Sequence, residues 1–387
     1  MTVGFVGNLT PPVGGAEIFL ERLLARRSPR RRSVVVRWRR QKFFYFPEQV
    51  IRRYAPRPVT RRRFGCPVHF LFDFPDRRAG ETRRRFEERL LAGWEREGQR
   101  AGRIFSAAGV RVIHGQMLAP HLLLTAAAAR AAGVPWLAAI HGMLEFRLLD
   151  YFKRRWPAVG LRIEAAFLKT PLIAAVSDEA AAEARRRGAR RVVRFRVGID
   201  TRFFSWSGRP GRDILFVGSV RREKGAELLI RAFERIQDRL PARLVFAGPV
   251  LLTGPVLARA RRNGRIRFLG TQTPAGVRRA MRAARLIALP SGSEGMPLSI
   301  LEGMAAGRVP VAGGGAGELK QLLQDGRNGF LVQRRTVPDW AGALTAAWRR
   351  PDLERIGRAA RRTALRFNIA RAAGDFERAY RRLIHDG

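Results

Sequence analysis

Leu286-Ile287-Ala288-Leu289-Pro290-Ser291-Gly292-Ser293-Glu294-Gly295-Met296-Pro297-Leu298-Ser299-Ile300-Leu301-Glu302-Gly303-Met304-Ala305-Ala306-Gly307 reads as a buried strand, a loop and a helix in succession. Pro297 is placed where a helix can begin, because the first helical turn does not use its N–H, and Gly307 where the helix can stop. Glu294 then lies in the loop and Glu302 on the helix. Backbone N–H groups of Gly295, Met296, Leu298 and Ser299 would point out of the helix start, where the positive end of the dipole favours a phosphate or a hydroxyl-rich ring. Two carboxylates flanking such an anion nest can each accept hydrogen bonds from a pair of hydroxyls. Two Glu residues eight apart also arise by chance in ordinary helices. The Gly and Ser before Glu294 and the Gly-Met-Pro after it are costly choices for a plain helix start.

Short apolar runs alternate with helical patterns along the whole chain, the mark of parallel sheets covered by helices. The first half offers strands at Val3 to Val6, Val34 to Val36, Val68 to Phe72, Val110 to His114, Trp136 to Ile140 and Leu172 to Val176. The second half starts again with Ile214 to Val217, Leu244 to Ala247, Ile266 to Leu269, Leu286 to Leu289, Val309 to Val311 and Phe330 to Val332. The expected fold is therefore α/β, with two doubly wound, Rossmann-like domains. Periodicity breaks between Gly198 and Asp213, which puts the domains at 1–205 and 206–365. A final amphipathic stretch, 366–387, carries Phe367, Ile369, Ala373, Phe376, Tyr380, Leu383 and Ile384 at spacings of mostly three and four. Ligands of such sheets bind beyond the carboxyl ends of the strands, so two facing units are expected to share one cleft.

The 387 residues suffice for two such cores, and 46% of them are apolar. Lys and Arg number 75 against 32 Asp and Glu, a net charge of +43, and only five of the cations are Lys. Such an excess attracts anions: phosphorylated lipid, a membrane surface, a polyanionic glycan or nucleic acid. A compositional exchange of Lys for Arg explains the scarcity of Lys but not the shortage of acids. The single cysteine, Cys66, excludes an internal disulfide framework and suits a reducing cytoplasm. Met1 leads directly into an apolar strand, with no secretory signal expected. The apolar stretch from Leu118 to Ile140 is broken by Pro120, His121, Arg130 and Pro135, so any membrane contact is expected to be peripheral. Arg26 to Arg63 mixes basic clusters with Trp38, Phe43, Phe44, Tyr45 and Phe46, and reads as an acceptor loop in preference to a nucleic-acid surface.

Three further constellations carry chemistry. After the first strand, Gly14 and Gly15 open a helix with Ile18, Leu20, Leu23 and Leu24 on its apolar face, which lets backbone N–H groups approach a ligand. Ile214 to Val217 leads through Gly218, Ser219, Val220, Arg221, Arg222 and Glu223 to Lys224 and Gly225. Strand, turn, cations and glycine before a helix make a place for a pyrophosphate. His141 follows a buried strand, with Gly142 leaving room for a ligand; His69, His114, His121 and His385 read as structural. No Cys pair, His-x-x-x-His or Asp-x-Asp suggests a metal, and no Walker sequence or Gly-x-Ser-x-Gly elbow is present.

On these residues the chain resembles glycosyltransferase family 4, of the two-domain type called GT-B. The shared features are Glu294, seven intervening residues and Glu302 after Pro290-Ser291, followed by the Met304 to Val311 run. The Gly14-Gly15-x-Glu17 loop also matches, as does His141 continuing into Gly142-Met143-Leu144-Glu145. The family usually has Arg directly after the glycine that ends the second domain's first strand, where this chain has Ser219; Arg221 or Arg222 would then supply that cation. Ala175 to Asp178, Val197 to Asp200 and Gly313 to Val332 match as well and are expected to shape turns and caps.

The resemblance implies a retaining glycosyltransferase of the hexosyl type, taking a nucleotide-diphosphate sugar as co-substrate with no metal or other cofactor. By family position Glu302 holds the ribose, and Glu294 holds a donor-sugar hydroxyl and steadies the charged ring. Lys224, with Arg221 or Arg222, faces the diphosphate, and His141 contacts the sugar. His141, Glu294 and Lys224 are thus the catalytic candidates. Gly14, Gly15, Ser219, Arg221, Arg222, Lys224, Glu294, Gly295, Met296, Pro297, Leu298 and Glu302 are the donor-binding ones. The C-terminal helix is expected to cross back onto the first domain. The expected partners are a glycan or lipid-linked acceptor and an anionic membrane surface, on the cytoplasmic face of a bacterial inner membrane, in surface polysaccharide or glycolipid synthesis. Rivals are a sugar-nucleotide epimerase or phosphorylase of the same fold, and a polyanion-binding module.

Overall fold

Buried apolar strands pair edge to edge in the computed structural model, which describes residues 1–7, 15–26, 33–38, 62–63, 66–71, 77–116, 118–206, 208, 210–292, 296–314 and 318–385. The chain divides into two compact units: Met1–Val197 with Ile369–Gly387, and Gly198–Asn368.

In the first unit the strands are β1 (Thr2–Val6), β2 (Ser33–Trp38), β3 (Arg62–Arg63), β4 (Cys66–Leu71), β5 (Val110–Gln116), β6 (Trp136–Ile140), β7 (Ile173–Ala175) and β8 (Val192–Arg194). They lie in the order β3-β4-β2-β1-β5-β6-β7-β8, and every pair is parallel except β3 with β4. Val3, Phe5, Val112, Ile113 and the whole of β6 are buried, as sheets with helices on both faces require. Helix Arg83–Ala107 packs on helix Ala119–Ala132 so closely that a Cβ on Gly98 or Gly102 would overlap Ala127 or Ala131.

The second unit repeats the plan with β9 (Asp213–Val217), β10 (Arg243–Ala247), β11 (Ile266–Phe268), β12 (Ala284–Leu289), β13 (Val309–Gly313) and β14 (Phe330–Val332), ordered β11-β10-β9-β12-β13-β14 and parallel throughout. Strand order reverses between β1 and β5 in one sheet and between β9 and β12 in the other. In sheets of this kind the reversal point, at the carboxyl ends of the two strands, is the usual place of a ligand.

Each strand read from the sequence is present, with ends shifted by up to two residues. Two strands were not foreseen. β3 is a two-residue antiparallel edge too short to show alternation, and β8 (Val192, Val193, Arg194) is half exposed and lacks a buried strand's apolar run. Most of Arg26 to Arg63, including Phe43 to Phe46, lies outside the described residues. The division expected at 205/206 falls at 197/198, and that at 365/366 falls at 368/369. Two bonds tie the crossing segments to each other: Ile199 N–H donates to Phe367 C=O at 2.8 Å, and Asn368 Nδ2 to Thr201 Oγ1 at 2.9 Å.

Helix Ile369–His385 joins the first unit, burying Ile369, Ala372, Phe376, Tyr380 and Leu383 at helical spacing. The Phe376 ring centroid lies 4.9 Å from that of Phe195 and 6.0 Å from that of Phe19.

Helix Leu298–Ala305 ends as a Schellman motif: Gly307 N–H donates to Met304 C=O and Arg308 N–H to Gly303 C=O, both at 2.9 Å. Gly307 adopts φ 76°, and the Trp206 ring fills the place of its missing Cβ. Gly307→Val should therefore cost at least about 1–2 kcal/mol through the left-handed backbone alone, with the steric overlap added. A urea or guanidinium midpoint measures the loss.

Candidate functional site

In the second unit the loops leaving β9 and β12 press on each other. Gly225, at φ 76°, brings the turn before helix Ala226–Glu234 so close to Pro290 that any Cβ would overlap the Pro290 carbonyl. The loop leaving β9 is fixed from its other side as well. Gly218 N–H donates to Ala247 C=O at 2.9 Å, and Val220 N–H to Pro249 C=O at 2.8 Å. Gly225, next after Lys224, is thereby held beside the start of the Pro290 loop, while Gly218 and Val220, on either side of Ser219, are held to the chain leaving β10.

The two arginines differ. Arg222 donates to Glu227 through Nε at 2.9 Å and Nη2 at 2.8 Å, and its side chain is 80% exposed. The Arg221 side chain is 26% exposed, and its Nε stands 4.0 Å from Glu223. Lys224 is half-buried.

Beyond Pro290 the description reaches Ser291 and Gly292 and resumes at Met296. Ser293, Glu294 and Gly295 lie outside the described residues. Pro297 is the residue before the helix, one position ahead of the expected first-turn place, at φ −73° and ψ 108°. Leu298 and Ser299 supply the helix's leading N–H groups, and Ile300 N–H already bonds Pro297 C=O at 3.1 Å. Glu302, on this helix, is 5% exposed.

In the first unit Gly15 opens helix Gly15–Arg26, and Gly14 lies outside the described residues. That helix carries Phe19, whose ring centroid is 5.8 Å from the His141 ring. Phe195 meets His141 edge-on at 5.5 Å. The half-buried His141 donates its backbone N–H to Glu145 Oε1 at 2.5 Å, and its Nε2 bonds Gln116 Oε1. Burial holds the ring's pKa down at about 3, so the imidazole is neutral at pH 7.

Three residues here escaped sequence reasoning. Glu145, 3% exposed, spends its second oxygen on Leu118 N–H at 2.7 Å and so ties the ends of β5 and β6 together. Gln116, 4% exposed, links His141 to His114. Arg335 Nε donates to Pro290 C=O at 3.2 Å, and its guanidinium lies over Gly292. Glu145 was visible in the Gly-Met-Leu-Glu run; Arg335 was hidden among many arginines. The matches expected to be structural act so: Ser177 accepts from Ala180 N–H at 3.0 Å, and Asp200 from Arg202 and Phe203 N–H at 3.0 and 2.9 Å. Among the described residues no three His, Cys, Asp or Glu gather as metal ligands.

The family model described as Glycosyl transferases group 1 matches residues 211–350, and that described as Glycosyltransferase Family 4 matches residues 13–203. D-inositol 3-phosphate glycosyltransferase of Rhodococcus erythropolis is 33% identical over 213 residues, 51% of this chain and 45% of that one. The protein of the same name from Nocardia farcinica is 36% identical over 180 residues, 43% of this chain and 38% of its own. The matches thus span less than half of either relative's length. Among solved structures, Anabaena HepE in complex with UDP and glucose superposes with a TM-score of 0.71 at 18% identity, covering 97% of this chain and 98% of that one. Sucrose-phosphate synthase from Thermosynechococcus elongatus gives 0.75 at 17% identity, with full coverage of both chains. At such identities the likeness is one of fold, and the fold is GT-B.

The depressed His141 pKa makes a signed prediction. Folding lowers the pKa from 6.5 to about 3, so at intermediate pH the unfolded chain binds a proton that the folded one refuses. The group's contribution is complete above pH 6.5 and is lost as pH falls toward 3. His141→Gln should flatten the acid side of the stability profile, measured as urea midpoints across that range.

Proposed function

This chain belongs to glycosyltransferase family 4, and we propose that it is a retaining glycosyltransferase moving a sugar from a nucleotide-diphosphate donor to an acceptor hydroxyl. The observation that carries this reading is the β12–loop–helix segment, where a carboxylate with 5% exposure, Glu302, follows a strand end at the sheet's switch point. A buried carboxylate on a helix entered from such a loop is suited to a pair of ribose hydroxyls. Glu294, from the same loop, takes the sugar hydroxyl and the charged ring by family position. By family position, Gly14, Gly15, the N–H groups of Gly295, Met296 and Leu298, and the Pro297 ring complete the donor contacts.

As the glycosidic bond breaks, negative charge grows on the diphosphate and positive charge on the ring. Donors already in place at the phosphates then contribute most to the rate. Arg221 takes the role left open by Ser219, since Arg222 is committed to Glu227 and points its charge outward. Lys224 adds a point charge, and His141 takes the contact to the donor sugar. In this reading protein cations and amides, with no metal, neutralise the leaving group.

We further propose a cytoplasmic setting on an anionic membrane surface, with a lipid-linked or glycan acceptor in surface polysaccharide or glycolipid synthesis. Two consecutive helices of the first unit, Leu144–Arg155 and Pro157–Leu168, support it. Leu144, Tyr151, Leu161 and Leu168 are exposed there among Arg147, Arg154, Arg155 and Arg162. Apolar and basic side chains interleaved in this way suit a headgroup layer. Among the described residues no helix is long and apolar enough to cross a membrane.

Glu302→Gln should lower sugar transfer by about a hundredfold or more with an unchanged melting temperature. Retained transfer removes the pocket assignment. Arg221→Met should lower kcat/KM at least about tenfold while Arg222→Met leaves it within about twofold, in steady-state assays across UDP-, GDP- and ADP-sugars. Sedimentation with anionic vesicles should weaken as salt rises, and indifference to lipid charge ends the membrane reading.

A further inference from the structure

His114 and Gln116 stand two apart on β5 and so share a face of the sheet. Gln116 pairs in register with Ala139 of β6, and His141 lies two residues beyond Ala139. All three side chains join one hydrogen-bonded line with the C-terminal helix. Tyr380 Oη meets His114 Nδ1 at 2.6 Å, His114 Nε2 meets Gln116 Nε2 at 2.9 Å, and Gln116 Oε1 meets His141 Nε2. His114 is fully buried and Gln116 nearly so, and the Phe5 and Phe376 rings flank His114 at 5.2 and 4.7 Å.

The amide fixes the protons along this line. Its NH2 group only donates, so His114 Nε2 must be a lone pair, and the His114 proton sits on Nδ1, aimed at Tyr380 Oη. Its oxygen only accepts, so His141 must carry its proton on Nε2. We propose that Gln116 is a positioning residue for His141, held by His114 and Tyr380, that turns Nε2–H inward and leaves Nδ1 as the ring's acceptor for a substrate hydroxyl. The ligand class follows from the atom: a lone pair on Nδ1 takes an O–H, and a phosphate, which offers acceptors, would need an N–H there. The role rests on the reading of His141 as a sugar contact, while the tautomer does not. The reversed amide would exchange every proton in the line, leaving His141 with N–H at Nδ1.

Long-range proton–nitrogen NMR of 15N-histidine-labelled protein reads the tautomer directly, with the His141 signals assigned by their loss in His141→Ala. The expected result is a single neutral form protonated at Nε2, kept in Gln116→Glu, which still accepts, and lost to a mixture in Gln116→Leu. Gln116→Leu should lower kcat at least about tenfold with little change in donor KM, because a misplaced imidazole proton costs the reaction more than binding. In a His141→Ala background the same change should cost no more than about twofold, since the two residues act as one unit. Tyr380→Phe should shift the tautomer ratio in the same direction as Gln116→Leu. An Nδ1–H form in the unmodified protein, or an equal loss of kcat in both backgrounds, overturns the proposal. Should Gln116→Leu fail to fold, Gln116→Glu and Tyr380→Phe decide through the same spectra. Should no sugar be transferred at all, the functional reading falls, and the spectra still test the line of bonds.

Discussion

A parallel strand covered by helices on both faces keeps only its ends within reach of a ligand, and this constraint organises both units. β6 is buried from Trp136 to Ile140, and its first polar side chain with any exposure is His141. β5 carries His114 and Gln116 at its carboxyl end, and β9 and β12 lead to Ser219 and to Pro290. Chain leaving a sheet must also find partners for its backbone, and much of the site's architecture answers that need. Glu145 accepts N–H groups from His141 and Leu118; Gly218 and Val220 donate to the chain leaving β10. The same bonds that satisfy the backbone hold the side chains proposed to do chemistry.

The shortage of acids gives those present defined work. Glu81 receives Arg89 through two bonds, which with Arg78 N–H hold its carboxyl down at about 2. Glu183 binds Arg186 and Arg187, and Asp150 binds Arg187 through both oxygens at 2.7 and 2.8 Å. Such exposed and half-exposed pairs add little stability one by one, but they commit particular guanidinium groups to a partner. Arg222 loses its candidacy for the diphosphate through just such a pair. Other carboxylates are spent on backbone: Glu87, 3% exposed, accepts Ala158 and Val159 N–H at 2.7 and 3.2 Å and so holds the start of helix Pro157–Leu168.

Strands were legible where burial on both faces forced an uninterrupted apolar run, as in Trp136 to Ile140, whose ends agree to the residue. β3 and β8, at the sheet's edges, need no such run and left no signal. Gly307 was legible as a stop because the left-handed turn after a helix selects glycine. Among site residues, His141 and Lys224 stood out by rarity and by position after a strand. The choice between Arg221 and Arg222 was not legible, since it turns on an ion pair with Glu227. Nor was the link from Tyr380 through His114 and Gln116, because a bond spanning 266 positions leaves no local pattern. His114 read as structural, and it is buried as that reading requires; its ring nitrogens nonetheless connect the C-terminal helix to the site.

The charge state of His141 agrees with the chemistry proposed for the second unit. Arg221, Lys224 and the helix-start amides are donors, matched to a leaving group that gains negative charge. In the proposed reaction the sugar ring changes in the opposite sense, toward a cation, and a neutral imidazole suits the contact proposed for His141 better than a protonated one would. Desolvation among Phe19 and Phe195 keeps His141 neutral, and Gln116 holds its Nε2–H inward. Under the proposed contact, the ring would offer the sugar a lone pair in place of a positive charge. The aromatic packing of the first unit therefore does electrostatic as well as structural work, and its anchor is the C-terminal helix, whose Phe376 packs against both Phe19 and Phe195.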